Sequence, residues 1–401
     1  MQTITVRRLR WIAPFAAGAA IAAAAILPGV AAGSEHPTLP ARSAAQLLTD
    51  LSTASVPSLS GTIVETARLG LPQLPQAGGS AADLSLMNLV TGSHTARVWL
   101  DGTTRQRVAL VGDLAESDVV HNGSAVWVYS SSSNSATRLT LPAGAGAATQ
   151  SAIPSPVPTP AQVTSKVLAA VTPTTRISVD NTARVAGRPA YQIVIAPKDA
   201  SSLITSVTIA LDSQTKMPLR VQVYGRDRGT PAFETAFTDV TFSAPPASVF
   251  TFIPPTGATV THSTLSQFLA GAGEGGGRQM FRRSASTSAR VAPQVTTGPP
   301  GAATKSAAGA HPARTIGTGW TTVFVTDAPT LSGAGAAGGP GSLRSSNELL
   351  SLLLKSATTV PEGRIISTAL VTVLIDNNGQ VYIGAVDAAA LQRVAATGQP
   401  A

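Results

Sequence analysis

The stretch Asp101–Pro142, DGTTRQRVALVGDLAESDVVHNGSAVWVYSSSSNSATRLTLP, decides how the rest of the chain is read. It holds three short apolar runs, each ended by turn chemistry. Asn122-Gly123 separates SDVVH from AVWVYS, and Asn-Gly suits a two-residue hairpin because both central residues need positive φ. Asp101-Gly102 does the same one strand earlier, between TARVWL and TRQRVALVG, so successive strands run antiparallel and extend a meander. In RQRVALVG, Val108 and Leu110 alternate with Arg107 and Ala109. That pattern predicts a sheet with one wet face and one face that needs cover.

Working outward, strands are expected in SGTIVETARLG, at Ser93–Leu100, Thr104–Val111, Ala115–His121, Ala125–Tyr129 and Thr137–Leu141. After Pro173 they resume as RISVDNTARV, PAYQIVIAPKD, ITSVTIALD, PLRVQVYG, AFETAFTDVTF and SVFTFIPP. Alternation is plain in Val207, Ile209 and Leu211, in Leu219, Val221 and Val223, and in Phe233, Thr235 and Phe237. About eleven antiparallel strands with no regular helix alternation predict a mainly β, α+β chain whose sheet curls into a barrel or half-barrel. Helices would cover one face of it.

Two such helices are legible. Ala44, Leu47, Leu48, Leu51 and Ala54 recur at helical spacing between Arg42 and Ala54. The second follows the Pro/Gly-rich segment Pro142–Pro160, with Thr159 as N-cap, Pro160 at the first helical position and Gln162 completing a capping box. Its apolar stripe is Val163, Val167, Leu168 and Val171. On its long tether it is either a fixed core helix or a movable lid. Pro72–Gly92 reads as a long loop.

Composition bounds the rest. Only 12% of the 401 residues are charged and 4% are aromatic, while Gly contributes 36 and Pro 29, so part of the chain is linker. The formal charge of +8 lacks the aromatic interleaving and the basic recognition helix of nucleic-acid binders, so no nucleic-acid partner is expected. Weak association with anionic membrane or wall polymer fits the charge. Cysteine is absent, which excludes disulfides, thiolate metal sites, a Cys nucleophile and a lipid-modified N-terminal Cys. Arg7, Arg8 and Arg10 precede an apolar run from Trp11 to Ala32 that ends in Val30-Ala31-Ala32. Residues 1–32 read as an export signal, with an uncleaved membrane anchor over 11–32 as the alternative.

With these elements in place, a family resemblance follows. VVHNGSAVWVYSSSSNSATRLTLP resembles the asp-gly-x-x-leu-trp-x-tyr hairpin of the periplasmic lipoprotein carriers (LolA), through Asn122, Gly123, Val126, Trp127 and Tyr129. Phe250, Phe252, Pro254, Pro255, Gly257 and Val260 in VFTFIPPTGATV are similar to that family's closing strand. AYQIVIAPKD followed by VTIALDSQTKMPLRVQVYG is similar to its paired strands. The related envelope-stress regulators (RseB and MucB) share the barrel and add a second C-terminal domain. The resemblance covers Arg42 to about Val260 and places a half-barrel domain at 41–260. Its length and its Ala-, Arg- and Thr-rich composition look most like actinobacterial versions with a C-terminal extension. It implies a non-enzymatic protein that binds lipid acyl chains or lipoprotein, or a sensor whose lipid occupancy alters binding to a membrane-anchored partner such as an anti-sigma factor. An envelope hydrolase is a distant alternative.

A curled sheet with an apolar face beneath tethered helices suits acyl chains without the family, since each buried methylene contributes about 0.8 kcal/mol. The candidate lining residues are Leu100, Val108, Leu110, Trp127, Tyr129, Tyr191, Ile193, Ile209, Leu211, Val221, Val223, Phe233 and Phe237. A one-residue error in register would exchange the faces.

Thr261–Arg314 is low in complexity and basic, a cationic linker over 261–314. Residues 315–401 read as a small α+β module: a strand at Gly319–Thr326, a helix near Ser346–Ala357, a hairpin turning at Asn378-Gly379 and a last helix at Ala388–Ala396. It is a docking module, or it completes the fold. No cofactor or metal is expected. Gly271, Gly273 and Gly276, and Gly333, Gly335 and Gly338, match a dinucleotide fingerprint only as Gly-rich loops. His36, His94, His121, His262 and His311 lack metal-ligand spacing. Asp113, Glu116 and Asp118 read as solvated loop charges, with a weak cation site or partner patch as the alternative.

Overall fold

The computed structural model describes residues 37–54, 56–70, 92–112, 116–141, 159–169, 174–227, 229–264, 314–327 and 357–399. The apolar N-terminal run, the loop 72–91, the tether 142–158, most of the basic linker and nearly all of the expected helix Ser346–Ala357 lie outside these residues.

Two meanders build the large sheet. The first runs β1 (Ser58–Ala67), β2 (Gly92–Asp101), β3 (Arg105–Val111), β4 (Glu116–Asn122), β5 (Ala125–Ser130) and β6 (Ser135–Thr140). Both hairpins turn where expected, with Gly102 at φ 66° and Gly123 at φ 63°, the left-handed region that a Cβ disfavours. Asp101 and Asn122 nevertheless stay in their strands: Asn122 pairs with Ala125 and Asp101 with Arg105, so the loops are Gly123-Ser124 and Gly102-Thr103-Thr104, and only the glycine of each expected pair has positive φ. The second meander is β7 (Thr175–Val185), β8 (Arg188–Pro197), β9 (Ser206–Asp212), β10 (Pro218–Tyr224) and β11 (Phe233–Thr241). β1 and β11 pair antiparallel, from Ser60 opposite Thr241 to Ala67 opposite Phe233, and join the two meanders. With β12 (Thr259–Thr264) beside β6, the result is one curled, unclosed sheet of 12 strands, a half-barrel.

The end of this sheet differs from expectation. SVFTFIPP is not a strand: Ala247–Phe250 is a 3₁₀ turn, and the chain runs unpaired to Thr256. Pro245-Pro246 and Pro254-Pro255 bracket it and remove the N–H donors that a ladder requires. The added strand is β12, which pairs parallel with β6.

Helix α1 (Ala44–Thr53) starts at a Ser43/Gln46 capping box. Helix α2 (Pro160–Ala169) has the predicted one: Thr159 N–H donates to Gln162 Oε1 at 2.9 Å and Gln162 N–H to Thr159 Oγ1 at 3.2 Å. Leu47 and Leu51 of α1 enter the apolar cluster of Tyr191, Ile193, Ile195, Val207, Ile209 and Leu211. A second cluster joins Leu59, Ile63, Ala96, Val98, Leu110 and Phe237.

The C-terminal unit is a second sheet of six strands: β13 (Arg314–Ile316), β14 (Val323–Asp327), β15 (Thr358–Val360), β16 (Gly363–Ser367), β17 (Thr372–Asp376) and β18 (Gln380–Gly384). The expected strand at Gly319–Thr326 is a 3₁₀ turn at Gly319–Thr321 followed by β14. Helix α3 (Ala388–Thr397) is capped by Asp387, which accepts from Ala390 N–H, and ends at Gly398 with φ 68°.

The two sheets touch. Ala369 N–H donates to the Leu69 carbonyl and Leu203 N–H to the Ala385 carbonyl, while Arg226 pairs with Asp387 at 3.1 Å. Trp320 Nε1 donates to Thr175 Oγ1 at 2.9 Å. Trp320 and Leu370 pack against the cluster that α1 covers, so the second unit helps to complete the core of the first.

Candidate functional site

Residues directly opposed in a β-ladder share a face, so pairings trace the inner face across the sheet. Tyr191 stands opposite Leu211 and Ile193 opposite Ile209. Ile209 then faces Val221, Val223 faces Phe233, and Phe237 faces Ile63. Ile63 leads to Ala96, and Ala96 and Val98 lead to Leu110 and Val108. Leu100 lies two residues beyond Val98. All the predicted lining residues except Trp127 and Tyr129 therefore share this one face.

The face is covered. Ile193, Ile209, Leu211 and Val221 have no exposed surface, whereas Leu100, Val108 and Phe233 are half-buried. The Tyr191 phenol donates to the Pro40 carbonyl at 3.0 Å, which ties the chain before α1 to the sheet. Val163 of α2 packs against the cluster of Val221 and Val223. The side chains of Val167 and Leu168, and the whole of Val171, lie outside the described residues.

Trp127 and Tyr129 require a correction. Val126 and Val128 continue the inner face, opposite His121 and Val119, so the two aromatic residues between and after them point outward. There they clasp Phe252, with ring centroids 5.4 Å and 5.6 Å away. Phe252 belongs to the strap between β11 and β12 that crosses the back of the sheet. Buried Phe250 anchors it, and Arg107 Nη1 and Asn122 Nδ2 donate to the carbonyls of Val249 and Phe250.

The acidic group is also resolved in part. Asp118 is buried on the outer face and paired with Arg107 through two hydrogen bonds of 3.0 Å and 2.5 Å, so it is not a solvated loop charge. Burial pushes its carboxyl up and the Arg107 guanidinium opposes this. Glu116 is exposed, and Asp113 lies outside the described residues. Among the described residues no group of three His, Asp or Glu is placed to hold a metal ion.

One inner-face residue was not singled out from the sequence. Glu65 of β1 faces Thr235 and His94, has no exposed surface, and neither carboxyl oxygen has a hydrogen-bond partner. Desolvation raises its carboxyl from 4.5 to about 7. The signal was available, since Glu65 lies two residues from Ile63 in a strand of period two. A separate cleft of about 290 Å³ lies where the sheets meet, lined by Arg68, Gly225, Arg226, Thr230, Thr368 and Ala369 among others.

Residues 84–262 match the family described as "Predicted periplasmic protein (DUF2092)". Similar solved structures include MucB of Pseudomonas aeruginosa in complex with MucA, 18% identical, covering 88% of this chain and 96% of that one at a TM-score of 0.38. A LolA superfamily protein of Nitrosomonas europaea is 12% identical over 53% of this chain and 99% of its own, with a TM-score of 0.22. An uncharacterised conserved protein of Thermus thermophilus is 12% identical over 55% and 99%, with a TM-score of 0.31. No curated protein matches the chain. Among the described residues no helix is long and apolar enough to cross a membrane.

Proposed function

We propose that this chain is an extracytoplasmic binding protein, without catalytic activity, that holds acyl chains of lipid or lipoprotein against the inner face of its half-barrel. The observation that carries this reading is the largely apolar face from Tyr191 to Leu100, covered in part by the helices α1 and α2. An acyl chain replaces such a cover at little loss of apolar contact, because every methylene it buries is stabilising. In this reading α2 is the lid, with Val163 on its inner side, and the basic segment 261–314 gives weak attraction to anionic membrane or wall polymer.

Native mass spectrometry of the chain purified from membranes tests the reading. A stoichiometric co-purified lipid is expected, and a protein free of lipid at every stage of a mild preparation would sink it.

A second reading has its own support. Trp320 and Leu370 of the C-terminal unit pack into the cluster that an acyl chain would enter. Occupancy would then shift that unit, as a sensor bound to a membrane-anchored partner such as an anti-sigma factor requires. A pull-down that retains one integral-membrane protein only in the lipid-free state favours the sensor. Transfer of lipoprotein between vesicles favours the carrier.

A further inference from the structure

Glu65 occupies a position that apolar packing alone does not explain. It stands between Ile63 and Ala67 on the inner face of β1, with Thr235 of β11 on one side and His94 of β2 on the other. A buried carboxyl with two unpartnered oxygens is costly, and native proteins seldom retain one without use. A second orphan lies on the element that covers the neighbouring strands: the buried Thr164 Oγ1 of α2, a helix that packs on β10 and β11, has no partner either. Val163, next to it, packs against the cluster that holds Val221 and Val223, which places α2 on the same side of the sheet as Glu65.

The chemistry of these atoms selects the ligand. An ionised carboxylate only accepts, so it calls for a donor, and inside an apolar wall it calls for a counter-charge as well. A primary ammonium supplies both, with three N–H groups of which the two Glu65 oxygens can accept more than one. A fatty-acid anion would meet like charge.

We propose that Glu65 recognises the ammonium end of a long-chain amine or amine-headed lipid, whose alkyl chain lies along the inner face beneath α2. This rests on reading that face as an acyl-chain site. Free Glu65 is largely protonated below neutral pH, because burial alone lifts its carboxyl to about 7. Binding then releases that proton: R–NH₃⁺ plus Glu65–COOH gives the R–NH₃⁺/Glu65–COO⁻ pair and H⁺. The titratable group facing Glu65 from the adjoining strands is His94 of β2, while β11 presents Thr235 and α2 presents Thr164.

The test uses the purified full chain and displacement of the neutral fluorophore N-phenylnaphthylamine by dodecylamine, dodecanol and dodecanoate, from about pH 5.5 to about pH 8.5. Dodecylamine affinity is expected to rise by up to about tenfold per pH unit below neutrality and then level off, while dodecanol stays flat. Glu65→Gln should bind the amine no better than the alcohol, with no pH dependence and unchanged dodecanol affinity. Glu65→Asp, which keeps the charge, should retain the pH dependence and guards against a Gln variant that folds poorly. Equal affinity for amine and alcohol at high pH in the unaltered chain, or a pH dependence that survives in Glu65→Gln, overturns the proposal. If neither the fluorophore nor dodecanol binds, the acyl-site reading itself fails, and this assignment with it.

Discussion

Arg107 and Asp118 lock together across the β3–β4 ladder, Nε to Oδ1 at 3.0 Å and Nη2 to Oδ2 at 2.5 Å, and the same guanidinium lies 5.5 Å from the Trp99 ring centroid. A buried pair adds little net stability over an apolar pair, but removing one partner strands the other. Arg107→Met should cost about 3 kcal/mol at neutral pH, and less in acid where Asp118 takes up a proton. Adding Asp118→Leu should restore most of the loss. Urea unfolding of the two variants measures both effects.

Glu65 makes folding stability depend on pH in a direction opposite to ordinary acid denaturation. Its folded carboxyl is raised from 4.5 to about 7, so between those values the folded chain keeps a proton that the unfolded chain has released. The folded state is therefore favoured fully below the lower value and loses that support as pH rises through about 7, by about 3 kcal/mol in total. Glu65→Met should raise the urea midpoint most above neutrality and hardly at all in acid. Equal gains at both ends of the range would contradict the assignment.

The junction of the two sheets depends on a glycine. A Cβ on Gly225 would sit 2.7 Å from the Ala369 carbonyl oxygen, beside the Ala369 to Leu69 hydrogen bond. Gly225→Val should separate the sheets without unfolding either one. Faster hydrogen exchange at the Ala369 amide, with unchanged far-ultraviolet circular dichroism, is the expected result.

Within the C-terminal sheet, Gly363 has φ 152° and a Cβ there would lie 2.1 Å from the Ile375 carbonyl oxygen. Gly363→Ala should break the β16–β17 pairing. Exchange protection should fall across both strands while the half-barrel keeps its own.

Local chemistry was legible in the sequence. The place of the β4–β5 turn, though not its central pair, and the Thr159/Gln162 box needed no tertiary information, because each is completed within four residues. The face of Trp127 and Tyr129 was not legible: Val126, Trp127, Val128 and Tyr129 are apolar on both sides, so alternation carries no signal. What decides it is Phe252, more than a hundred residues later, whose strap half-covers the two rings on the outer surface. The cover by Trp320 and Leu370 was equally beyond reach, since it depends on how a separate sheet docks. Glu65 was within reach once Ile63 had been assigned inward.

The ladder between β1 and β11 sets an order of assembly. Every other antiparallel pairing in the large sheet joins strands adjacent in sequence, but this one brings Ser60 to Thr241. Closing so long a loop is the slow event in a topology of this kind, so each meander forms on its own before the seam closes. In a chain delivered N-terminus first, the first strand has only one neighbour until the eleventh emerges. Glu65 and Thr235 face each other on that seam, and the carboxyl therefore leaves water only in the final step.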